Sequence, residues 1–504
     1  MKKLTHNGVL IPKPYEAKGF TIRVKDNPLK LTDSQEEMAV AWVKKLETDY
    51  VKDKVFAKNF FKDFLKELNI QEKLKPEDFN FSTIQKVVAQ EKERKLNMSK
   101  EEKKKLAEER KTIREANRER YGYATVDGVR VEVGNYVVEP PSIFMGRGKH
   151  PLRGSWKRGA TEPDITLNLS PDTPTPKGKW KELVWQSNSM WIARWDDKLR
   201  GREKYVWLAD TSTVKQEREI EKFDNARKLS GKIKDVQKHI QANLKAENIR
   251  RRKLATVSYL IDRLKLRVGD EKDEDEADTV GATTLRPEHV KVNSDITVTF
   301  DFLGKDSVMW KKTVALDKPV VENLSDFLSD TKSPLFKDVR STGVNQFLGE
   351  AMPGLTAKAF RTYHSTNAVK AYLKDSKVHE NEPDYEKKYE ATMANLQAAE
   401  ICHHKKKLPK KWHENMAKKR ERMKKLRAKG TERSLEKLKE LQFRVKALKV
   451  AKDYNLNTSL KSYIDPRVYY EWGKRVNYDW KLYYPKTMQK KFSWVETEGE
   501  TADR

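Results

Sequence analysis

Residues 405–450 constrain the fold of this chain most. Between Lys405 and Lys429 stand 13 lysines and arginines against two acids, Glu414 and Glu421. Trp412, Met416, Met423 and Leu426 run through them as a thin apolar stripe. Gly430 interrupts the pattern, and Leu438, Leu441, Val445 and Leu448 then repeat at heptad a and d spacing. Two short helices with narrow stripes, joined at a glycine, predict an antiparallel helical hairpin. So narrow a stripe suits a coiled coil projecting into solvent, because a helix buried in a core needs a wider apolar face.

The chain around this hairpin divides by composition. At roughly 150 residues per domain, 504 residues make about three domains. Phe60, Phe61 and Phe64 mark an aromatic N-terminal part. Ser99 and Glu102 make a capping box that opens a highly charged helix running to about Tyr121; a solvated face and a DNA-facing element are both open readings of it. Val126, Val129, Val131, Val133, Val137 and Val138 predict short strands, and Pro171 to Pro176 a turn-rich connection. Trp180, Trp185, Trp191 and Trp195 follow at irregular spacing and read as core residues rather than a base-stacking surface. From about 213 the pattern is mainly helical. Leu254, Val257, Ile261 and Leu264 recur at helical spacing, with Gly269 suited to the helix end. Ile296, Val298, Phe300 and Phe302 then alternate, Leu303-Gly304-Lys305-Asp306 turns the chain, and Val308 and Trp310 return. This predicts a β-hairpin with Lys305 at or near its tip.

Charge points to a partner. Lys and Arg number 105 and Asp and Glu 76, a net +29. A soluble chain so basic suits a polyanion, with nucleic acid the natural choice and an anionic membrane surface the weaker one. Cys402 is the lone cysteine, which excludes an intramolecular disulfide and a zinc or iron–sulfur site built on several thiolates. His403, His404 and His413 fit no familiar metal-ligand spacing. The N-terminus has no apolar signal-peptide core, and no apolar run approaches the 18 or so residues of a membrane span. No Gly-x4-Gly-Lys-Ser/Thr phosphate loop is present.

Five segments together resemble eukaryotic-type DNA topoisomerase IB, in that family's order and approximate spacing. They are Glu139-Pro140-Pro141-Ser142-Ile143-Phe144-Met145-Gly146-Arg147-Gly148-Lys149-His150-Pro151; Leu266-Arg267-Val268-Gly269-Asp270-Glu271-Lys272 with Ala277 to Gly281; Phe300-Asp301-Phe302-Leu303-Gly304-Lys305-Asp306-Ser307; Gly354 to Tyr363; and Ser462-Tyr463-Ile464-Asp465-Pro466-Arg467. Weaker similarity extends over nearly the whole chain. The resemblance implies an α+β, multidomain protein: an N-terminal mixed α/β cap (1–212), a mainly helical, tyrosine-recombinase-like catalytic core (213–404), an antiparallel coiled-coil linker (405–450) and a small C-terminal domain carrying the nucleophile (451–504). It implies a monomer clamped around double-stranded DNA, needing no cofactor, metal or ATP. The location it implies is intracellular and DNA-associated. This chain lacks the long charged N-terminal region of many eukaryotic members, so nucleus and nucleoid are both open.

The chemistry of strand breakage agrees with the residues. Breaking a phosphodiester without a nuclease's water requires a side-chain nucleophile. Negative charge gathers on the non-bridging oxygens, where fixed guanidinium donors suit it best. The departing 5′-oxygen needs a proton from a general acid. The resemblance carries these roles onto Arg267, Lys305, Arg361, His404 and Tyr463, and DNA contacts onto Arg147, Lys149, His150 and Asp306. From the residues alone each has a plainer reading. Arg267 and Arg361 are two among 105 basic residues, Lys305 is a turn lysine, and Tyr463 is one of 18 tyrosines. Tyr469 and Tyr470 are alternatives to Tyr463 that lack the following Ile-Asp-Pro-Arg; between His403 and His404 the resemblance decides, since the family pattern puts its histidine two residues after the position of Cys402. A tyrosine recombinase shares the Arg, Lys, Arg and Tyr set, and a non-enzymatic basic DNA-binding protein accounts for the charge but not for the five segments.

Three positions depart from the family pattern: Met145 stands where arginine is common, Ser459-Leu460 where Ser-Lys is, and Ser462 where asparagine precedes the nucleophile. The resemblance makes Ser462 the residue next to the camptothecin site, and serine loses the carboxamide donor. One lost hydrogen bond costs roughly 0.5–1.5 kcal/mol, so weak, partial drug sensitivity is expected. Ser462→Asn should increase drug-stabilised cleavage at equal enzyme activity; an unchanged drug response would remove Ser462 as the determinant.

Overall fold

The computed structural model describes residues 1–146, 150–270, 280–294, 296–304, 308–330 and 334–497. Arg147, Lys149, Lys305 and Asp306 therefore lie outside the described residues. The fold is mixed α and β, and the chain forms two compact units that divide after Lys215.

The first unit has an aromatic core and a sheet core. Asp53 caps the helix Lys54–Glu67 by accepting from the amides of Val55 and Phe56, satisfying donors that the first turn leaves free. Phe56, Phe60 and Phe64, four residues apart, put one face of this helix into the interior. Trp42 of the helix Asp33–Val43 stacks on Phe60 with ring centroids 4.6 Å apart. The predicted capping box is formed: Ser99 Oγ accepts from the Glu102 amide at 3.0 Å, and Glu102 accepts from the Ser99 amide at 2.7 Å. The helix it opens, Lys100–Tyr121, buries no residue. In the sheet part, Leu4–His6, Tyr123–Val126 and Val129–Glu132 form one three-stranded antiparallel sheet. Glu182–Val184, Thr166–Asn168, Trp191–Asp196 and Glu203–Trp207 lie in that order in a second, mixed sheet. Trp191 and Trp195 are buried, and Trp180 and Trp185 pack on the edge of the same apolar cluster. The tryptophan-rich stretch is core.

The second unit is mostly helical. The helices Thr213–Asn243, Ile249–Leu264, Ser341–Ala351 and Ala357–Asp375 close one apolar cluster with Phe300, Phe347 and Phe360 at its centre. The predicted β-hairpin pairs Thr297–Gly304 with Val308–Ala315, from Thr297 opposite Ala315 to Gly304 opposite Val308. A second cluster joins Phe223, Val369 and Ala394 to Leu460, Ile464, Tyr469, Trp472 and Phe492. The C-terminal segment thus shares its core with the preceding helices.

The basic segment forms two helices, Trp412–Lys429 and Glu432–Val450, joined at Gly430 with φ +63°. Met416, Leu441 and Val445 make their seam, with Trp412, Met423 and Leu426 partly buried against it. Leu448 differs from the heptad expectation and is 38 % exposed. Near its end the second helix instead packs Phe443 against Tyr385 and Tyr389 of the helix Asp384–Ile401, which leaves Leu448 off the buried face. Gly269 also differs. Lys265, at φ +56°, ends the helix Ile249–Leu264. Gly269, at φ +80°, lies against Gly281, where a side chain on either would come within 2.7 Å of the other's backbone.

One buried histidine of the first unit makes a pH prediction. His6 Nδ1 accepts from the Gly8 amide at 3.0 Å, so Nε2 carries the proton and donates to the Asn168 carbonyl at 2.9 Å. Burial lowers its pKa to about 4, the backbone bond to Asn168 partly opposing. Between pH 6.5 and 4 the unfolded chain binds a proton that the folded one refuses. Stability from this group is complete above about 6.5 and is lost as pH falls, by about 3 kcal/mol in full. Thermal unfolding between pH 7 and 4.5 should show a steeper loss for the wild type than for His6→Gln.

Candidate active site

Four of the five residues expected to carry chemistry meet in the second unit. Arg267 Nη1 donates to Tyr463 Oη at 2.9 Å across 196 residues of sequence. The Arg361 guanidinium lies 4.8 Å from the centre of the Tyr463 ring, and the His404 ring stacks on Tyr463 at 5.2 Å and 28°. Tyr463, His404 and Arg361 are all buried. Lys305, the fifth, lies outside the described residues; the strands that precede and follow it contribute Gly304, Val308 and Trp310 to the same cleft.

Each side chain is set by a different element. Arg267 follows the left-handed turn at Lys265, and its carbonyl accepts from the Ala282 amide at 2.8 Å. The Gly269–Gly281 approach just beyond holds these two segments together. Arg361 lies in the first turns of the helix Ala357–Asp375. Its Nη1 donates to the Lys265 carbonyl, and its Nη2 to the Cys402 carbonyl and to His404 Nε2, both at 3.0 Å. A guanidinium cannot accept, so Nε2 of His404 is the acceptor and is unprotonated in this contact. Arg361 Nε has no hydrogen-bond partner among the described residues. The His404 carbonyl accepts from the Asn455 amide at 2.6 Å, where the helix Leu456–Ser462 begins. Tyr463 follows that helix. Its amide donates to the Ser459 carbonyl at 2.9 Å, and its carbonyl accepts from Thr366 Oγ1 at 3.3 Å.

The cleft is electropositive. Burial holds the Arg267 guanidinium below its usual range, with Tyr463 opposing and Arg361 adding to the shift; it stays charged near neutrality. Neither Arg267 nor Arg361 is paired with a carboxylate among the described residues. Arg467, four residues after Tyr463, is the contrast: it pairs with Asp465 at 3.0 Å and Asp224 at 2.8 Å, and these raise its pKa. His403, at φ +53°, lies against Trp310 with ring centroids 5.2 Å apart. Burial, then Lys312, Lys405 and Arg361, lowers it to about 4. It is therefore neutral near pH 7.

Of the remaining expected positions, Arg147, Lys149 and Asp306 lie outside the described residues. His150, in the first unit, is buried edge-to-face on Phe144 at 4.9 Å, and its Nδ1 accepts from the Leu152 amide at 3.1 Å. Met145, where arginine was the family's residue, packs against the aromatic cluster. Ser462 is half-buried, and its carbonyl accepts from Lys222. Tyr469 is fully buried and donates to the Ala391 carbonyl at 3.1 Å, which is a core role. The sequence did not point to the Lys265 and Cys402 carbonyls, because a backbone oxygen is supplied by any residue type. No cluster of three His, Cys, Asp or Glu residues is placed to hold a metal among the described residues.

Comparison with known proteins assigns the architecture. Residues 1–208 match the family described as eukaryotic DNA topoisomerase I, DNA binding fragment. Residues 211–437 match its catalytic core, and 435–502 the C-terminal topoisomerase domain. The chain is 32% identical to human mitochondrial DNA topoisomerase I, over 98% of this chain and 90% of that one. The chain belongs to the eukaryotic DNA topoisomerase I family. It is also 35% identical to DNA topoisomerase 1 beta of Arabidopsis thaliana and 33% to DNA topoisomerase 1 of Drosophila melanogaster, each over 98% of this chain. It spans only 58% and 54% of those two relatives.

Within this cleft, Arg361 is both charge and scaffold. Arg361→Lys keeps the charge and loses the planar fork that reaches three partners. Hydrogen bonds to charged groups contribute about 1.5–3 kcal/mol each. The variant should lose about 2 kcal/mol or more in urea unfolding followed by tryptophan fluorescence.

Proposed function

We propose that this chain is a type IB DNA topoisomerase, relaxing supercoiled duplex DNA through a transient single-strand break. The observation that carries this reading is a buried tyrosine hydroxyl bonded to one guanidinium, beside a second, with an imidazole stacked on its ring. Tyr463 Oη gives up its proton to solvent as it attacks the phosphorus of one strand, forming a 3′-phosphotyrosine while the 5′-oxygen leaves. Arg267 and Arg361 donate to the non-bridging oxygens as their negative charge builds, with the Nδ1–H of His404, whose Nε2 accepts from Arg361, as a further donor. Lys305 hands a proton to the departing 5′-oxygen. The freed 5′ end rotates, and its hydroxyl then attacks the phosphotyrosine and restores the strand. Bond energy is conserved in the ester, so ATP is not consumed.

Double-stranded DNA is the proposed partner, and the excess of 29 positive charges supplies attraction to its phosphates. Residues 1–212 act as the cap, with Arg147, Lys149 and His150 as groove or backbone contacts, Asp306 beside Lys305, and the whole working as a monomer closed on the duplex. Family members of greater length carry further sequence, so the reading concerns the activity of this chain by itself.

Tyr463→Phe should abolish SDS-trapped covalent adduct and plasmid relaxation while leaving duplex binding intact, since the ring still packs between His404 and the arginines. Wild-type relaxation should proceed in excess EDTA without ATP. Cleavage persisting in the variant would overturn the nucleophile.

A further inference from the structure

The helix Leu456–Ser462 ends one residue before Tyr463, and the carbonyls of its last turn have no partners within it. Two ammonium groups reach them. Lys222 Nζ donates to the Ser462 carbonyl and Lys491 Nζ to the Lys461 carbonyl, each at 3.4 Å. Both lysines also hold one carboxylate: Glu219 Oε2 lies 2.6 Å from Lys222 Nζ and 3.0 Å from Lys491 Nζ. Glu219 and Lys222 are three residues apart on Thr213–Asn243, and Lys491 ends the helix Lys486–Lys491.

As a stabilising device this cluster is poor. Two largely buried ammonium groups share one negative charge, so one positive charge is desolvated without compensation. Apolar side chains would serve the core better. Its geometry serves something else. The Ser462 carbonyl and the Tyr463 amide belong to one planar peptide unit. A cation fixing that carbonyl fixes the plane from which the Tyr463 side chain departs, and favours the negative end of the helix as well.

We propose that Glu219, Lys222 and Lys491 form a clamp on the backbone entering Tyr463, positioning its hydroxyl for attack without touching the reacting atoms. The proposal rests on Tyr463 being the nucleophile. A displacement of about 1 Å costs on the order of 100-fold in rate, so the clamp governs cleavage and not DNA affinity. Burial lowers Lys222 to about 8, with Glu219 opposing and Lys491 and Lys358 adding to the shift. The clamp therefore loosens as pH rises through 8 and Lys222 loses its charge. An arginine at 222 keeps its charge throughout.

The test measures single-turnover cleavage of a nicked duplex, with the affinity of the same duplex measured in a Tyr463→Phe background. Lys222→Met and Lys491→Met should each slow cleavage about 10- to 100-fold and change Kd by less than about threefold. Lys222→Arg should restore the rate, and above pH 8 it should hold that rate while the wild type declines relative to it. Affinity falling in step with cleavage would make these lysines phosphate contacts and overturn the clamp. Unchanged cleavage, or superimposable pH profiles for wild type and Lys222→Arg, would do the same. If Lys222→Met fails to fold, Lys491→Met decides by the same two measurements, cleavage rate and duplex affinity. A wild type that forms no covalent adduct overturns the proposed function and the clamp with it, whereas adduct formation with any of the adverse results overturns the clamp alone.

Discussion

The guanidinium of Arg361 joins three stretches of chain by hydrogen bonds to two carbonyls and one imidazole. Lys265 ends one helix, Cys402 ends another, and His404 leads by its own carbonyl to the start of the helix before Tyr463. The acceptors are neutral. They satisfy N–H groups on both Nη1 and Nη2, which would otherwise be expensive to bury, without cancelling the positive charge. Arg467 is held in the opposite way, by two carboxylates, and is spent on structure. The kind of acceptor thus separates a cation that keeps its net positive charge in the cleft from one neutralised within the fold. Lys265 and His403 support this arrangement from left-handed backbone conformations, which cost about 1–3 kcal/mol each in residues other than glycine and persist where surrounding contacts demand them.

Local signals read well from the sequence. The Ser99–Glu102 box, the strand pair around residue 305 and the glycine-linked helices after 411 each depend on residues a few positions apart. Their patterns correspond directly to hydrogen bonds and seams in the folded chain. Where packing partners come from afar, the pattern misleads. Leu448 continues a heptad on paper, but Phe443 has already turned that end of the helix toward Tyr385 and Tyr389. Gly269 looks like a helix terminator and is instead one half of a backbone crossing with Gly281.

The site itself was readable only through the ordered family segments. Arg267 and Tyr463 are bonded across 196 residues, and no periodicity encodes such a meeting. Two of Arg361's three partners are peptide carbonyls, which any residue type supplies, so no composition rule reveals them. Glu219 and Lys222 are three residues apart on one helix, and only the fold brings Lys491 and the end of the helix preceding Tyr463 against them. Met145 carries its own explanation in packing: a thioether against an aromatic cluster keeps the local fold where the family commonly has a charge.

The basic hairpin has a graded interior. Met416, Leu441 and Val445 fill the seam near its base, and Phe443 anchors that end to a neighbouring helix. Toward Gly430 the interior thins to Met423, Leu426 and Leu438, while Leu435 stands 43% exposed. Few apolar contacts and many solvated backbone bonds mean a low free energy of local opening. The hairpin is consequently a lever whose root is fixed and whose far end frays first, with lysines and arginines spread along the length that opens. Amide protons would exchange with solvent in a gradient from turn to root, and a force applied at the far end would be absorbed as unzipping before it reached the helix that leads into Tyr463.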